Sequence, residues 1–204
     1  MRFRARVLFG FAAFAACARV DAEGTARVHM FHGPCGDGPT SAPPTDFTFG
    51  VSYAETERFG GVLLMHVLEY PASLEEADGF VIRLDLDALL EDGRLVVDHA
   101  RSQIVRAEPQ WPLVLAIDET PTGANASLSL FETCRNLATF AATSGALSLS
   151  TLTLAREPSR TGVGERIEGT LTATIALDGA KKPSGTLEAE FAFAPPTRPL
   201  VDFK

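Results

Sequence analysis

The sequence is short of basic residues: 18 Lys and Arg stand against 26 Asp and Glu, a formal net charge of −8. Three of the arginines, Arg2, Arg4 and Arg6, lie at the extreme N-terminus, so the rest of the chain is more acidic still. Such a surface repels phosphate backbones and no basic stripe offsets it, which argues against a nucleic-acid partner. Long apolar runs are missing too. Val7–Ala16 holds only ten apolar or small residues, and a membrane-spanning helix needs about 20. There is no Gly-x-Ser-x-Gly, no His-Glu-x-x-His, no phosphate-binding glycine loop and no Cys-x-x-Cys. The nucleophile-elbow, zinc-protease, P-loop and dithiol chemistries therefore have no motif to rest on, and the sequence implies no cofactor.

The N-terminus itself is informative. Three arginines followed by a short apolar stretch form the charged and hydrophobic regions of an export signal. The segment that follows, Phe14-Ala-Ala-Cys17, resembles the lipobox of bacterial lipoproteins, whose pattern is Leu-Ala-Ala/Gly-Cys; the departure is Phe14 in place of Leu. The resemblance covers the first seventeen residues and implies lipidation of Cys17, membrane attachment through that lipid, and an address in the cell envelope, either outer membrane or periplasm. The leader is then 1–16. The alternative is ordinary cleavage after Ala22, where Val20-Asp-Ala22 presents small residues, giving a leader of 1–22 and a secreted protein. Either route leaves Cys35 and Cys134 in an oxidising compartment, where an even number of cysteines predicts a disulfide.

After the leader, about 185 residues remain, enough for one domain with a sizeable core. Residues 17–46 read as an N-terminal tether and irregular loop, ending in "GPCGDGPTSAPPTD" at Gly33–Asp46, and 47–204 as a single β-rich domain. Period-two alternation is clearest at the end of the chain. Ile167, Leu171, Ala173, Ile175 and Leu177 alternate with Glu168, Thr170, Thr172 and Thr174, and after "DGAKKPS" the pattern resumes over 185–193. The phrase Gly-Thr-Leu-x-Ala occurs at 169 and again at 185, with a looser copy at Gly145-Ala-Leu. Its unequal spacing excludes a solenoid and predicts three strands of a meander, each opening on a glycine after a turn. Further strands are expected at 47–53, 80–86, 94–98, 103–107, 112–117 and 127–131, and a strand covered on both faces at Val62–Leu68. The pattern predicts an all-β antiparallel sandwich, with a closed barrel as the alternative and one short helix near 132–142.

Several residues invite chemistry. His29, His32 and Cys35 have the three-residue steps of a metal site, but Gly33-Pro34 opposes the helix that would gather them on one face. No metal site is assigned; His29 and His32 stand as candidates, and solvated or locally bonded histidines are the simpler reading. Asp85 and Asp87 would share a strand face with Arg83, a spacing open to a carboxylate-based hydrolase, while a solvated face neutralised by Arg83 is the plainer account. His66 lies in the most apolar run and is expected to be hydrogen-bonded and buried; His99 has no partner nearby in sequence. Trp111-Pro112 is a candidate aromatic platform for a glycan, although a lone tryptophan more often serves core or rim. Asn125-Ala-Ser127 fits a glycosylation sequon, which carries little weight in a bacterial host. Together these features predict a non-catalytic exported envelope protein with a structural or binding β-domain. The alternatives are a secreted glycan- or peptide-binding module and, third, a hydrolase.

Overall fold

The computed structural model describes residues 18–31, 45–70, 76–108, 112–118, 124–133, 138–156, 165–177, 180 and 182–194. Eleven strands and one helix follow in chain order: β1 (Ala18–Phe31), β2 (Thr45–Phe59), β3 (Val62–Leu68), β4 (Gly79–Asp85), α1 (Leu86–Glu91), β5 (Leu95–Asp98), β6 (Gln103–Arg106), β7 (Leu113–Asp118), β8 (Ala124–Leu130), β9 (Ala138–Ala155), β10 (Arg166–Leu177) and β11 (Gly185–Phe193). The architecture is all-β and almost wholly antiparallel, as the alternation predicts. The exception is a single parallel bridge between β7 and β8, Ile117 to Ala124.

Hydrogen bonding runs round a closed circuit, β1–β2–β3–β4–β8–β9–β10–β11 and back to β1. β10 takes one edge of the 18-residue β9; its other edge is shared in steps by β8, β7 and β6, with β7 wedged in where β8 diverges. The ring is flattened. Phe80 on β4 meets Phe191 on β11, strands on opposite sides of the circuit, at 5.8 Å between ring centroids. At the end where β1 finishes, Phe31 meets Phe140 of β9 at 5.1 Å. At the other end the Arg58 guanidinium, on β2, reaches across to the carbonyl of Ala155 on β9 at 2.6 Å. Two walls thus pack face to face as in a sandwich, while their edges are joined as in a barrel. Closure leaves the eight circuit strands without the exposed edges that invite aggregation.

Inward positions are apolar and closed to solvent: Val28, Leu63, Met65, Ile82, Leu84, Leu128, Leu147, Leu171 and Leu187 are among the fully buried. Outward positions carry Thr, Ser, Glu and Arg. The meander of β9, β10 and β11 forms as expected, but two of its glycines lie inside strands rather than after turns. Gly145 and Gly169 sit mid-strand, and only Gly185 opens one. The reason is close approach. A Cβ on Gly145 would stand 2.1 Å from the Thr172 carbonyl oxygen, and one on Gly169 would stand 2.6 Å from that of Ser148.

Three expectations are corrected. Residues 18–31, expected as part of a tether, are β1, a full member of the circuit between β11 and β2. Its inward residues, Ala22, Ala26 and Val28, are small, so its alternation is quiet in sequence. The helix expected near 132–142 is absent from its described part, because 138–142 opens β9. The helix of the fold is α1, capped by Asp85, whose carboxylate accepts the Ala88 N–H at 3.0 Å, with Leu86 and Leu89 buried. β3 is not covered on both faces: Leu63, Met65 and Val67 are buried, while Val62, Leu64 and His66 on the outer side are half-buried.

Candidate functional site

Because the inside of the ring is filled, any site must be sought on its outer surface or at its ends. Register sets out the outer wall as rows running across the strands. Thr25, Glu190, Thr170, Ser148 and Val114 make one row over β1, β11, β10, β9 and β7. Glu23, Ala192 and Glu168 make the next. Arg27, Glu188, Thr172 and Ala146 lie on the other side. These side chains share a face because successive residues of a strand point to opposite sides.

The first two rows enclose an open cleft of about 610 Å³, lined by Glu23, Glu168, Glu190, Ser148, Ser150, Thr170 and the exposed ring of Pro112, with the backbone at Gly24, Gly169 and Phe191 as its floor. A shallower depression of about 310 Å³ continues it over Arg27, Thr172 and Glu188. The floor is possible because Gly24 and Gly169 face Phe191 from either side. A Cβ on Gly24 would come within 2.0 Å of the Glu190 carbonyl oxygen, so no larger residue fits there without moving backbone.

Glu168 is lowered from its ordinary value, chiefly by the Arg166 guanidinium and then by the Thr151 hydroxyl, which donates at 3.0 Å. Its ion pair with Arg166 is that of an exposed neighbour two residues away. Glu23 and Glu190 make no hydrogen bond or ion pair among the described residues. The cleft therefore offers carboxylate acceptors and hydroxyls to a ligand rich in donors, such as hydroxyl or ammonium groups.

The residues singled out by sequence are scattered. His29 lies between two carboxylates on neighbouring strands. Its Nδ1 is 3.4 Å from Asp46 Oδ2, and its Nε2 is 3.6 Å from Glu188 Oε2. The same Asp46 accepts the N–H of Met30 at 2.8 Å, where a bulge puts Met30 at φ 51. That backbone donor, followed by His29, holds the Asp46 carboxyl below its ordinary value. His29 is thus locally bonded. Among the described residues no group of three His, Cys, Asp or Glu is placed to hold a metal ion. His32, Cys35, Cys134, Trp111 and Cys17 lie outside the described residues, although Trp111 directly precedes Pro112 of the cleft.

Asp85 and Asp87 do not share a strand face. β4 ends at Asp85, which caps α1, and Asp87 stands exposed in the helix's first turn against Gly61. The pair expected there is dissolved by the helix that begins between them. His66 departs from expectation as well, since its Nε2 is shielded from solvent with no hydrogen-bond partner among the described residues. His99 is exposed at the β5–β6 turn, and Asn125 is half-buried within β8 opposite Arg83. Among the described residues, the deeply buried carboxylate with several donors is Asp78. It accepts the N–H groups of Glu132 and Thr133 and the Thr133 hydroxyl, holding the turn after β8. Beside it Glu69 is raised from its ordinary value by burial and by the charges of Asp78 and Glu132.

The lining residues Glu23, Glu168, Glu190, Ser148 and Thr170 were not candidates in sequence. Their one signal is polar alternation, which marks an outer face but not which outer faces adjoin. Comparison of the chain with protein-family models, with curated proteins and with solved structures finds no match.

Proposed function

We propose that the chain is an exported cell-envelope protein, anchored by a lipid on Cys17, whose ring is a non-catalytic binding or structural module. The observation that carries the reading is the solid interior. Side chains meet wall to wall at Phe80–Phe191 and Phe31–Phe140, leaving the outer surface for whatever the protein engages. The start of β1 supports the anchored form. Processing at Cys17 keeps the whole strand, whereas cleavage after Ala22 removes residues 18–22, of which Ala18–Asp21 pair with Thr56–Tyr53 of β2. Mass spectrometry of the mature protein from membranes tests this: a diacylglyceryl adduct on Cys17 is the expected N-terminus, and a free Glu23 would overturn it.

A second reading is favoured by one feature, the outer cleft: a secreted module that binds glycan or peptide there. Carboxylates and hydroxyls beside the ring of Pro112 suit a polyhydroxylated or cationic ligand. Under that reading Glu23→Gln with Glu190→Gln weakens retention on an immobilised glycan that the native protein binds, while Glu76→Gln, exposed at the far end of the ring, leaves it unchanged. The hydrolase reading loses its support, because Asp85 is occupied as a helix cap.

A further inference from the structure

We infer that the outer cleft is a groove for the chain's own segment 195–204, laid across the strands, so that a ligand entering the cleft must first displace it. This does not depend on the anchored form, and it adds a resident occupant to the cleft of the second reading.

The cleft is a crease that runs across the sheet. Gly24, Phe191, Gly169, Leu149 and Leu113 stand in register on β1, β11, β10, β9 and β7. At that level two ladders break step: β1 against β2 between Asp21 and Gly24, and β10 against β9 between Glu168 and Gly169. Such irregularities bend the strands that carry them, and two at one level fold the wall along a line. Adjacent strands lie about 4.8 Å apart, so the line from β1 to β7 is about 19 Å long. A groove in that direction takes a chain crossing the strands, not one pairing with them.

β11 ends at Phe193, two residues past the crease, and Ala194 is exposed. Residues 195–204 lie outside the described residues; their sequence is "PPTRPLVDFK". Pro195 and Pro196 have no N–H with which to continue the ladder, so the chain leaves the sheet beside the crease. Pro195, Pro196 and Pro199 favour the polyproline conformation. At about 3.1 Å per residue, roughly five residues cover the three strand spacings, about 14 Å, between β11 and β7.

Arg198 is the first charged residue of the segment, and Asp202 and Lys204 beyond it offset each other. Glu190, on the crease where β11 ends, makes no hydrogen bond or ion pair among the described residues, and Glu168, one strand away, already has Arg166. A guanidinium arriving from Ala194 therefore meets an unpaired carboxylate. Past it, Leu200 and Val201 come level with Pro112 and with Val114, which is 53% exposed. A tethered segment acts at an effective concentration on the order of millimolar, so a few weak contacts suffice to seat it. Exit point, length and charge thus select the segment itself as the occupant.

The test compares amide NMR spectra of the isotope-labelled mature chain, of the same chain ending at Ala194, and of Arg198→Gln in the full chain. The amides of Gly24, Ser148, Gly169 and Glu190 should differ between the full and the shortened chain, while Arg83 and Asp98, away from the cleft, should not. Arg198→Gln should move the same amides part of the way to their positions in the shortened chain. A synthetic peptide of residues 194–204 should return them in the shortened chain and leave the full chain unchanged. Differences confined to Phe193 and Ala194, or equal peptide binding by both chains, would overturn the inference. Shifts that grow with protein concentration would overturn it in favour of a second copy's segment. If the shortened chain does not fold, Arg198→Gln decides alone, and unmoved cleft amides would count against the groove. On a glycan that the native protein binds, Arg198→Gln should be retained more strongly. Shifts without any glycan retention would remove the second reading and keep the segment in its groove; retention without shifts would do the reverse.

Discussion

Ala155 is gripped from both sides of its peptide unit. Its carbonyl accepts Arg58 at 2.6 Å, and its N–H donates to Glu165 Oε1 at 3.3 Å. Both charged groups are drawn out of water to do this. Burial pushes Glu165 up from 4.5 and outweighs the Ala155 N–H and the Arg58 charge, while burial also lowers Arg58, whose Nε finds no partner among the described residues. In the window from 4.5 upward the folded chain holds a proton that the unfolded chain has released. Stability conferred by protonated Glu165 is therefore lost as pH rises through the folded value. Glu165→Gln keeps an acceptor for the Ala155 N–H and removes the titration. Urea melts of both proteins between pH 4 and pH 7 should show the native protein falling behind the variant as pH rises; parallel curves would dismiss the argument. Asp46 has the opposite sign: its lowered value gives a contribution present above 3.8 and lost as pH falls below it.

At the scale of elements, glycine position separates curvature from filler. Gly24 and Gly169 flank the inward Phe191, and at Gly24 a methyl group meets the Glu190 carbonyl. Gly50, exposed on β2, has nothing within 4 Å of where a Cβ would lie. Gly24→Ala should therefore destabilise by about 2 kcal/mol or more, since backbone must move, whereas Gly50→Ala should stabilise by about 0.5–1 kcal/mol through reduced unfolded-state entropy. Chemical denaturation of both variants checks the pair, and similar effects at the two sites would contradict the assignment. The same elements show what sequence discloses. β10 and β11 are legible because Leu, Ile and Phe alternate with Thr and Glu, each step large in polarity. β1 is not, because Ala22 and Ala26 bury little area and its glycine faces a neighbour that only the register supplies. The helix is misplaced for a related reason: α1 is six residues long and follows β4 without a break, so its Leu86 reads as the end of a strand. The cleft was invisible, because its rows join residues from 23 to 190 that no local spacing connects.

The whole molecule brings together parts that lie far apart in the chain. β1 and β8 both run toward the end where Phe31 and Phe140 touch. The connection after β1 carries Cys35 four residues beyond Phe31, and the connection after β8 carries Cys134 six residues before Phe140. Extended chain covers about 3.3–3.6 Å per residue, so those segments have length enough to bring two Cα atoms within the ~4.4–6.8 Å that a disulfide spans. A bridge there would tie the β1 side of the ring to the point where β8 hands over to β9. That hand-over is also where the circuit closes, through only four paired residues of β8 and β9. Closing a loop of this length should contribute about 2–4 kcal/mol. The intact protein purified without reductant should show no titratable thiol at Cys35 or Cys134, and a peptide map should contain the two joined. Reduction should lower the urea midpoint and steepen the slope, because the unbridged chain unfolds to a more expanded state, and Cys35→Ser should reproduce both changes. Two freely reactive thiols in the folded protein, or a midpoint indifferent to reductant, would mean that packing at Phe31 and Phe140 closes the ring unaided.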